Sequence, residues 1–139
     1  MRTVTEQSNE AVVRGIYQSF LSKDLPAVLA VLTEDVEWTL YGSPAIPFAG
    51  TRHGREAVAE WFGILADTVE FRRFEPGEFE FVAQGDTVVV QGNEQVTAKA
   101  TGRAFDQQWV QFMTLRDGKV ARFREFTDTA AVNSAFASS

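Results

Sequence analysis

The chain contains no cysteine and a single histidine, His53. Without thiols it can form no disulfide, no thiolate nucleophile and no cysteine-ligated metal site. His53 has no second histidine or carboxylate at a ligand-like spacing, and it stands just before Gly54 at the start of an expected helix. It reads as a loop or surface residue, and no metal is expected. A serine triad would need His53 plus a glycine-flanked serine on a strand-to-helix turn, and no such serine is present. Gly77, Gly85, Gly92, Gly102 and Gly118 are isolated, mostly turn glycines, so no phosphate-cradling loop is formed. Basic residues are also scarce, thirteen against nineteen acidic ones, for a net charge of −6 and no basic run. That balance argues against nucleic acid and anionic membranes as partners, since both need a basic footprint. No apolar run is long enough to span a bilayer, and Met1 to Asn9 is polar with no signal core, so a soluble cytoplasmic protein is expected.

Aromatic rings, by contrast, are plentiful. Twelve Phe and three Trp sit among 139 residues of which 45% are apolar. The length predicts a single domain over residues 1–139, large enough for its own core. So many rings in a small domain point either to an apolar cavity or to a Phe-rich core.

Val12, Val13, Ile16, Tyr17, Phe20 and Leu21 recur at helical spacings, predicting a helix over Thr5 to Leu21 with Thr5 or Ser8 as its cap. A short helix follows from Leu25 to Leu32, with Pro26 in its first turn. Glu34 to Tyr41 alternates as a strand, with Val36, Trp38 and Leu40 on one face. Gly42 to Gly50 is a loop broken by two prolines. Its apolar Ile46 and Phe48 should lie against the body or over a cavity mouth. A third helix spans Arg55 to Asp67, and from Val69 onward the chain reads as strands: Phe71 to Val82, Thr87 to Ala100, and the hairpin Ala104 to Asp128 turning at Asp117-Gly118. Asp128 or Thr129 can cap a closing helix. The order predicts an α+β fold with helices on one face of a curved, mostly antiparallel sheet.

Candidate chemistry lies on the strands. Alternation places Val88, Val90, Gly92, Glu94 and Val96 on one face, and Phe123, Glu125 and Thr127 on one face of the last strand. If these faces point inward, Glu94 and Glu125 enter a pocket lined by Trp38, Leu40, Trp61, Val96, Trp109, Gln111 and Phe123. Carboxylates in apolar walls acquire raised pKa values and can move protons near neutral pH. The competing arrangement pairs both with Arg103, Arg122 or Arg124 at the sheet surface.

Leu32-Thr33-Glu34-Asp35-Val36-Glu37-Trp38, Gly50-Thr51-Arg52-His53-Gly54-Arg55-Glu56-Ala57-Val58, Ala100-Thr101-Gly102-Arg103, and Asp117-Gly118-Lys119-Val120 leading into Arg124-Glu125-Phe126-Thr127-Asp128 resemble the nuclear-transport-factor-2-like superfamily. Ketosteroid isomerases, SnoaL-like polyketide cyclases and limonene epoxide hydrolases belong to it. The resemblance covers nearly the whole chain and implies a cone-shaped barrel wrapped around three N-terminal helices. Glu125, three residues before Asp128, matches the acid/base residue on the last strand of the cyclases and epoxide hydrolases. Glu94 matches the Asp of the hydrolases' Arg-x-Asp, whose Arg falls on Gly92. The isomerases' catalytic Asp falls on Leu40, and their oxyanion Tyr on Ile16, with Tyr17 one position off. The resemblance therefore implies a cofactor-free isomerase or cyclase acting on a small hydrophobic molecule, with Glu125 as acid/base and Glu94 as its partner. The alternatives are a non-catalytic ligand-binding module, or an epoxide hydrolase using Gln111 or Asn93 in place of the arginine. An outward set of Val110, Phe112 and Phe126 is costly in water and predicts a homodimer.

Overall fold

The structure, a computed structural model, describes residues 2–137. Helix α1 (Val4–Leu21) starts at Thr3, whose side chain accepts from the Glu6 N–H while Glu6 reaches back to the Thr3 N–H. This reciprocal box satisfies two donors that a helix start leaves open, which is why the helix begins earlier than Thr5 or Ser8 would start it. Its stripe buries Val13, Ile16 and Tyr17, while Leu21 remains 45% exposed. Helix α2 (Leu25–Ala30) is capped by Asp24, with Pro26 in its first turn.

Strand β1 (Leu32–Leu40) takes over at Leu32, inside the stretch expected to remain helical. Strand β2 (Gly50–His53) was not anticipated; it pairs antiparallel with β1 and sets His53 opposite Glu37 at the sheet edge. The intervening loop folds inward, as its apolar residues require: Ile46 and Phe48 are each only 2% exposed. Trp61 Nε1 donates to the Phe48 carbonyl at 2.7 Å and ties the loop to helix α3 (Arg55–Thr68).

The expected single strand over Phe71 to Val82 is two strands. They are β3 (Val69–Arg73) and β4 (Glu80–Gln84), separated by a short 3-10 turn at Pro76–Glu78. Proline has no N–H to give to a ladder, so the run breaks there. Both halves lie on the same edge of β5 (Thr87–Ala98), β4 against its first half and β3 against its second. Strands β6 (Ala104–Arg116) and β7 (Lys119–Thr127) form the long hairpin. Strand β7 then pairs parallel with β1, giving the order β2-β1-β7-β6-β5-β3. The closing helix α4 (Thr129–Phe136) is capped by Asp128, which accepts from the Ala131 N–H, so Asp128 is a capping residue.

The result is an α+β fold whose curved sheet does not close on itself. Its concave face carries Val36, Trp38, Val88, Val90, Val96, Met113 and Phe123, and helices α1 and α3 seal it with Val13, Ile16, Val58 and Trp61. Each such side chain, once buried, contributes about 1.5–3 kcal/mol, so this layer sets the register of the sheet. No helix among the described residues is long and apolar enough to cross a membrane.

Gly92 shows how tight the concave face is. A Cβ there would fall 2.8 Å from both Phe79 Cδ1 and Trp109 Cη2. The missing side chain makes room for the Trp109 indole, which meets Phe79 edge-on at 4.8 Å between centroids. Gly92→Val is expected to destabilise the protein by about 3 kcal/mol or more through overpacking, seen as a lower urea midpoint with unchanged slope. A midpoint equal to wild type would mean that the indole has somewhere else to go.

Candidate active site

The concave face narrows into a cavity of about 70 Å³ bounded by α1, α3, the Phe48 loop and strands β1, β3, β5, β6 and β7. Of the residues expected to line it, Trp38, Leu40, Trp61, Val96, Gln111 and Phe123 do, and both Glu94 and Glu125 open into it. Trp38 and Phe123 lie stacked, with centroids 3.8 Å apart and planes 10° from parallel. Trp109 does not form part of the wall. It occupies the space over Gly92 and backs Tyr17, 6.1 Å away. His53 is exposed on β2 and stands outside the cavity. Asn93, one residue from Glu94, projects to the opposite face, where it bonds Arg73 and the Gln107 carbonyl. Among the described residues no three His, Asp or Glu side chains converge as a metal site would need.

Glu125 is held by amides. Gln111 Nε2 donates to its Oε1 at 2.8 Å, and Gln107 Nε2 makes a longer bond of 3.4 Å to Oε2. Gln111 sits directly opposite Glu125 in the β6–β7 register, so the hairpin itself builds this bond. Tyr17 completes the chain from above, its hydroxyl donating to Gln111 Oε1. That bond commits the Gln111 carbonyl to Tyr17 and its N–H to Glu125. Tyr17 and Gln107 are site residues that sequence reasoning missed.

Burial pushes the Glu125 carboxyl up to about 7, against the opposing pull of the Gln111 N–H. Glu94 is raised well above the ordinary carboxylate range, first by burial and then by the charge of Glu125. Trp109 and Arg73 pull it the other way. The Trp109 N–H has no acceptor at hydrogen-bonding geometry, so its pull is that of a nearby dipole. Tyr17 is driven well above its usual value by burial and by both carboxylates, so its hydroxyl stays a donor. Neither carboxylate forms an ion pair with Arg103, Arg122 or Arg124; Arg122 instead pairs with Glu37 on the outer face. The two acids therefore differ in their surroundings. Both are raised by burial, Glu125 against the pull of an amide donor and Glu94 with no amide donor to steady its charge.

Residues 13–123 match the SnoaL-like domain model. The chain belongs to the SnoaL-like domain family. It is similar to an NTF2-like protein from Burkholderia xenovorans, at 36% identity over 95% of this chain and 98% of that one, with a TM-score of 0.87. It also resembles TerC, co-crystallised with polyporic acid, at 26% identity over 93% of this chain and 98% of that one, with a TM-score of 0.78. A candidate isomerase from Bacillus subtilis shares the fold, with a TM-score of 0.82 at 18% identity over 99% of this chain and 98% of that one. No curated protein matches the chain. Against this SnoaL-like background, Gly92 leaves no room for the arginine of an Arg-x-Asp motif, because the Trp109 ring fills that place.

Proposed function

We propose that this SnoaL-like protein is a cofactor-independent enzyme that isomerises or cyclises a small hydrophobic carbonyl compound by proton transfer. The supporting observation is a pair of buried carboxyls in one aromatic cavity whose environments push them to different proton affinities. In the ionised state Glu125 removes a proton from the carbon next to a carbonyl. The electron pair moves onto the carbonyl oxygen, which takes a hydrogen bond or the proton from Glu94. Return of the proton to a different carbon completes an isomerisation; attack of the enol carbon on a second carbonyl, whose oxygen takes the proton from Glu125 while the enol oxygen returns its proton to Glu94, completes a cyclisation. Gln111, fixed by Tyr17, positions the Glu125 carboxylate for the first step. Trp38, Leu40, Trp61, Val96 and Phe123 exclude water and hold the apolar body, while Trp109 supports the wall from behind.

The test is exchange. A panel of enolisable aryl ketones and polyketide-like diketones is incubated in deuterium oxide, and loss of the α-proton is followed by NMR, with Glu125→Gln as control. Exchange that is faster than in buffer and absent from the control supports the reading; no exchange across the panel overturns it. A non-catalytic binding module is the second reading, favoured by the small volume of the cavity, about 70 Å³. Saturable binding of the same compounds without exchange would establish it.

The protein is further proposed to work as a cytoplasmic homodimer. On the outer face Tyr41 and Phe126 are 44% and 40% exposed and lie 4.7 Å apart, with Phe112 against Phe126 at 5.8 Å. A second copy covering these rings removes them from water. Light scattering at micromolar concentration is expected to give twice the chain mass, and Phe126→Lys is expected to halve it. A wild-type mass equal to one chain would refute the dimer.

A further inference from the structure

The inner cavity, about 70 Å³, is smaller than the roughly 150 Å³ cavity known to accept benzene. Part of its wall is shared with a second space. Phe20, Phe62, Phe71 and Phe74 line it, and the same four rings line a second, outer groove of about 810 Å³. Phe20 is their hub, with Phe74, Phe71 and Phe62 at 5.1, 5.3 and 6.0 Å between centroids. All four are half-buried, while the other apolar residues lining the inner cavity are buried, so the cavity comes closest to solvent at these rings. The outer groove runs between the ends of α1, α2 and α3 and the start of β3, and it includes the exposed Leu21.

The groove's formal charges balance, Lys23 and Lys99 against Asp24 and Glu70, but both acids have other partners. Asp24 is used as the cap of α2, and Glu70 is paired with Arg72 at 3.3 Å. Lys23 and Lys99 have no carboxylate partner among the described residues; Lys99 donates only to the Ala66 carbonyl. In a chain of net charge −6, two unpaired cations on one groove favour an anion there.

Resting on the carboxylate reading of the inner cavity, we propose that the ligand is bipartite. Its enolisable head reaches Glu125 by moving the Phe20 ring cluster aside, which enlarges the inner cavity, and an apolar tail lies in the outer groove with an anionic terminus at Lys23 and Lys99. The passage is thus a ring diaphragm, and the substrate class is an aryl or acyl compound carrying a carboxylate-terminated chain.

Phenol, as a mimic of the enol head, and ω-(4-hydroxyphenyl)alkanoic acids of increasing tail length are titrated against the tryptophan fluorescence. Affinity is expected to rise about threefold per methylene as the tail enters the groove, then level off. At the plateau length the acid should bind about three- to fivefold tighter than its methyl ester, and Lys23→Gln with Lys99→Gln should erase that preference. Gly63 lines the groove on α3 with open space around it and is not part of the inner cavity's lining, so Gly63→Phe narrows the groove. It should abolish the tail effect and leave phenol binding unchanged. Tailed phenols that bind no tighter than phenol, a tail effect that survives Gly63→Phe, or no binding by any member overturns the proposal. An acid preference that survives the lysine variants overturns the anionic terminus. If α-proton exchange depends on Glu125 while tails add nothing, only the bipartite ligand fails. If tails add affinity and Glu125→Gln leaves α-proton exchange unchanged, the carboxylate reading fails and the groove stands.

Discussion

Glu125→Gln is expected to slow α-proton exchange by about 10²- to 10⁴-fold while leaving ligand affinity within a few-fold. Glutamine keeps the shape and the oxygen that accepts from Gln111 Nε2 at 2.8 Å, but it cannot take a proton. The pH profile sharpens the test. With the Glu125 carboxyl at about 7, kcat/KM should rise with pH through that value as the base ionises. It should fall again only at higher pH, where Glu94, held protonated by burial and by the charge of Glu125, finally ionises. Glu94→Gln retains a hydrogen-bond donor that does not titrate, so it should erase the alkaline limb and spare the acidic one. A Glu125→Gln protein with wild-type exchange would remove the acid/base role, whatever the ligand.

The fold was legible because its strongest signals are local. The Asp117-Gly118 turn between two alternating runs forces the β6–β7 hairpin, and that pairing carries Gln111 to Glu125. What local pattern could not convey was pairing at a distance. β2 is four residues long, with burial that does not alternate, so only its partner β1 makes it a strand. The β3–β4 break at Pro76 was visible in the sequence, but the apolar residues on both sides masked it.

The site was legible in its carboxylates and less so in its supports. Glu94 and Glu125 stood out because acids among in-facing apolar residues are costly without a role. Tyr17 is hidden from a sequence reading because a one-residue offset along a helix normally puts a side chain on a different face. In fact α1 lies deep in the concave face, and Ile16 and Tyr17 both reach the cavity. Gln107 shares its face with Trp109 and Gln111 by simple alternation, so that signal was present and unread. Trp109 was misplaced because strand alternation gives a face but not a depth. The absence of a Cβ at Gly92 draws the ring back into the wall.

The same buried acids should make the protein less stable as pH rises toward and past neutrality, opposite to the behaviour of a fold held by surface ion pairs. Below the ordinary glutamate value of 4.5 both folded and unfolded chains carry the Glu125 proton, and its full stabilisation is present. Between 4.5 and about 7 the unfolded chain releases that proton while the folded one keeps it, so stability declines. Across that window the loss from Glu125 alone is about 3 kcal/mol. Glu94 is raised in the same direction and extends the decline to higher pH. The exposed carboxylates of Glu6 and Asp35, held low by the Thr3 and Gly85 N–H groups and by Arg116, act oppositely, but only in more acidic solution. Urea midpoints are therefore expected to fall between about pH 5 and pH 8, and the Glu94→Gln, Glu125→Gln double variant should flatten that slope and exceed wild type at the upper end. Stability that instead rose with pH over this range would show that both carboxyls ionise freely in the folded state. The separation of acid from base in the cavity would then have no physical basis.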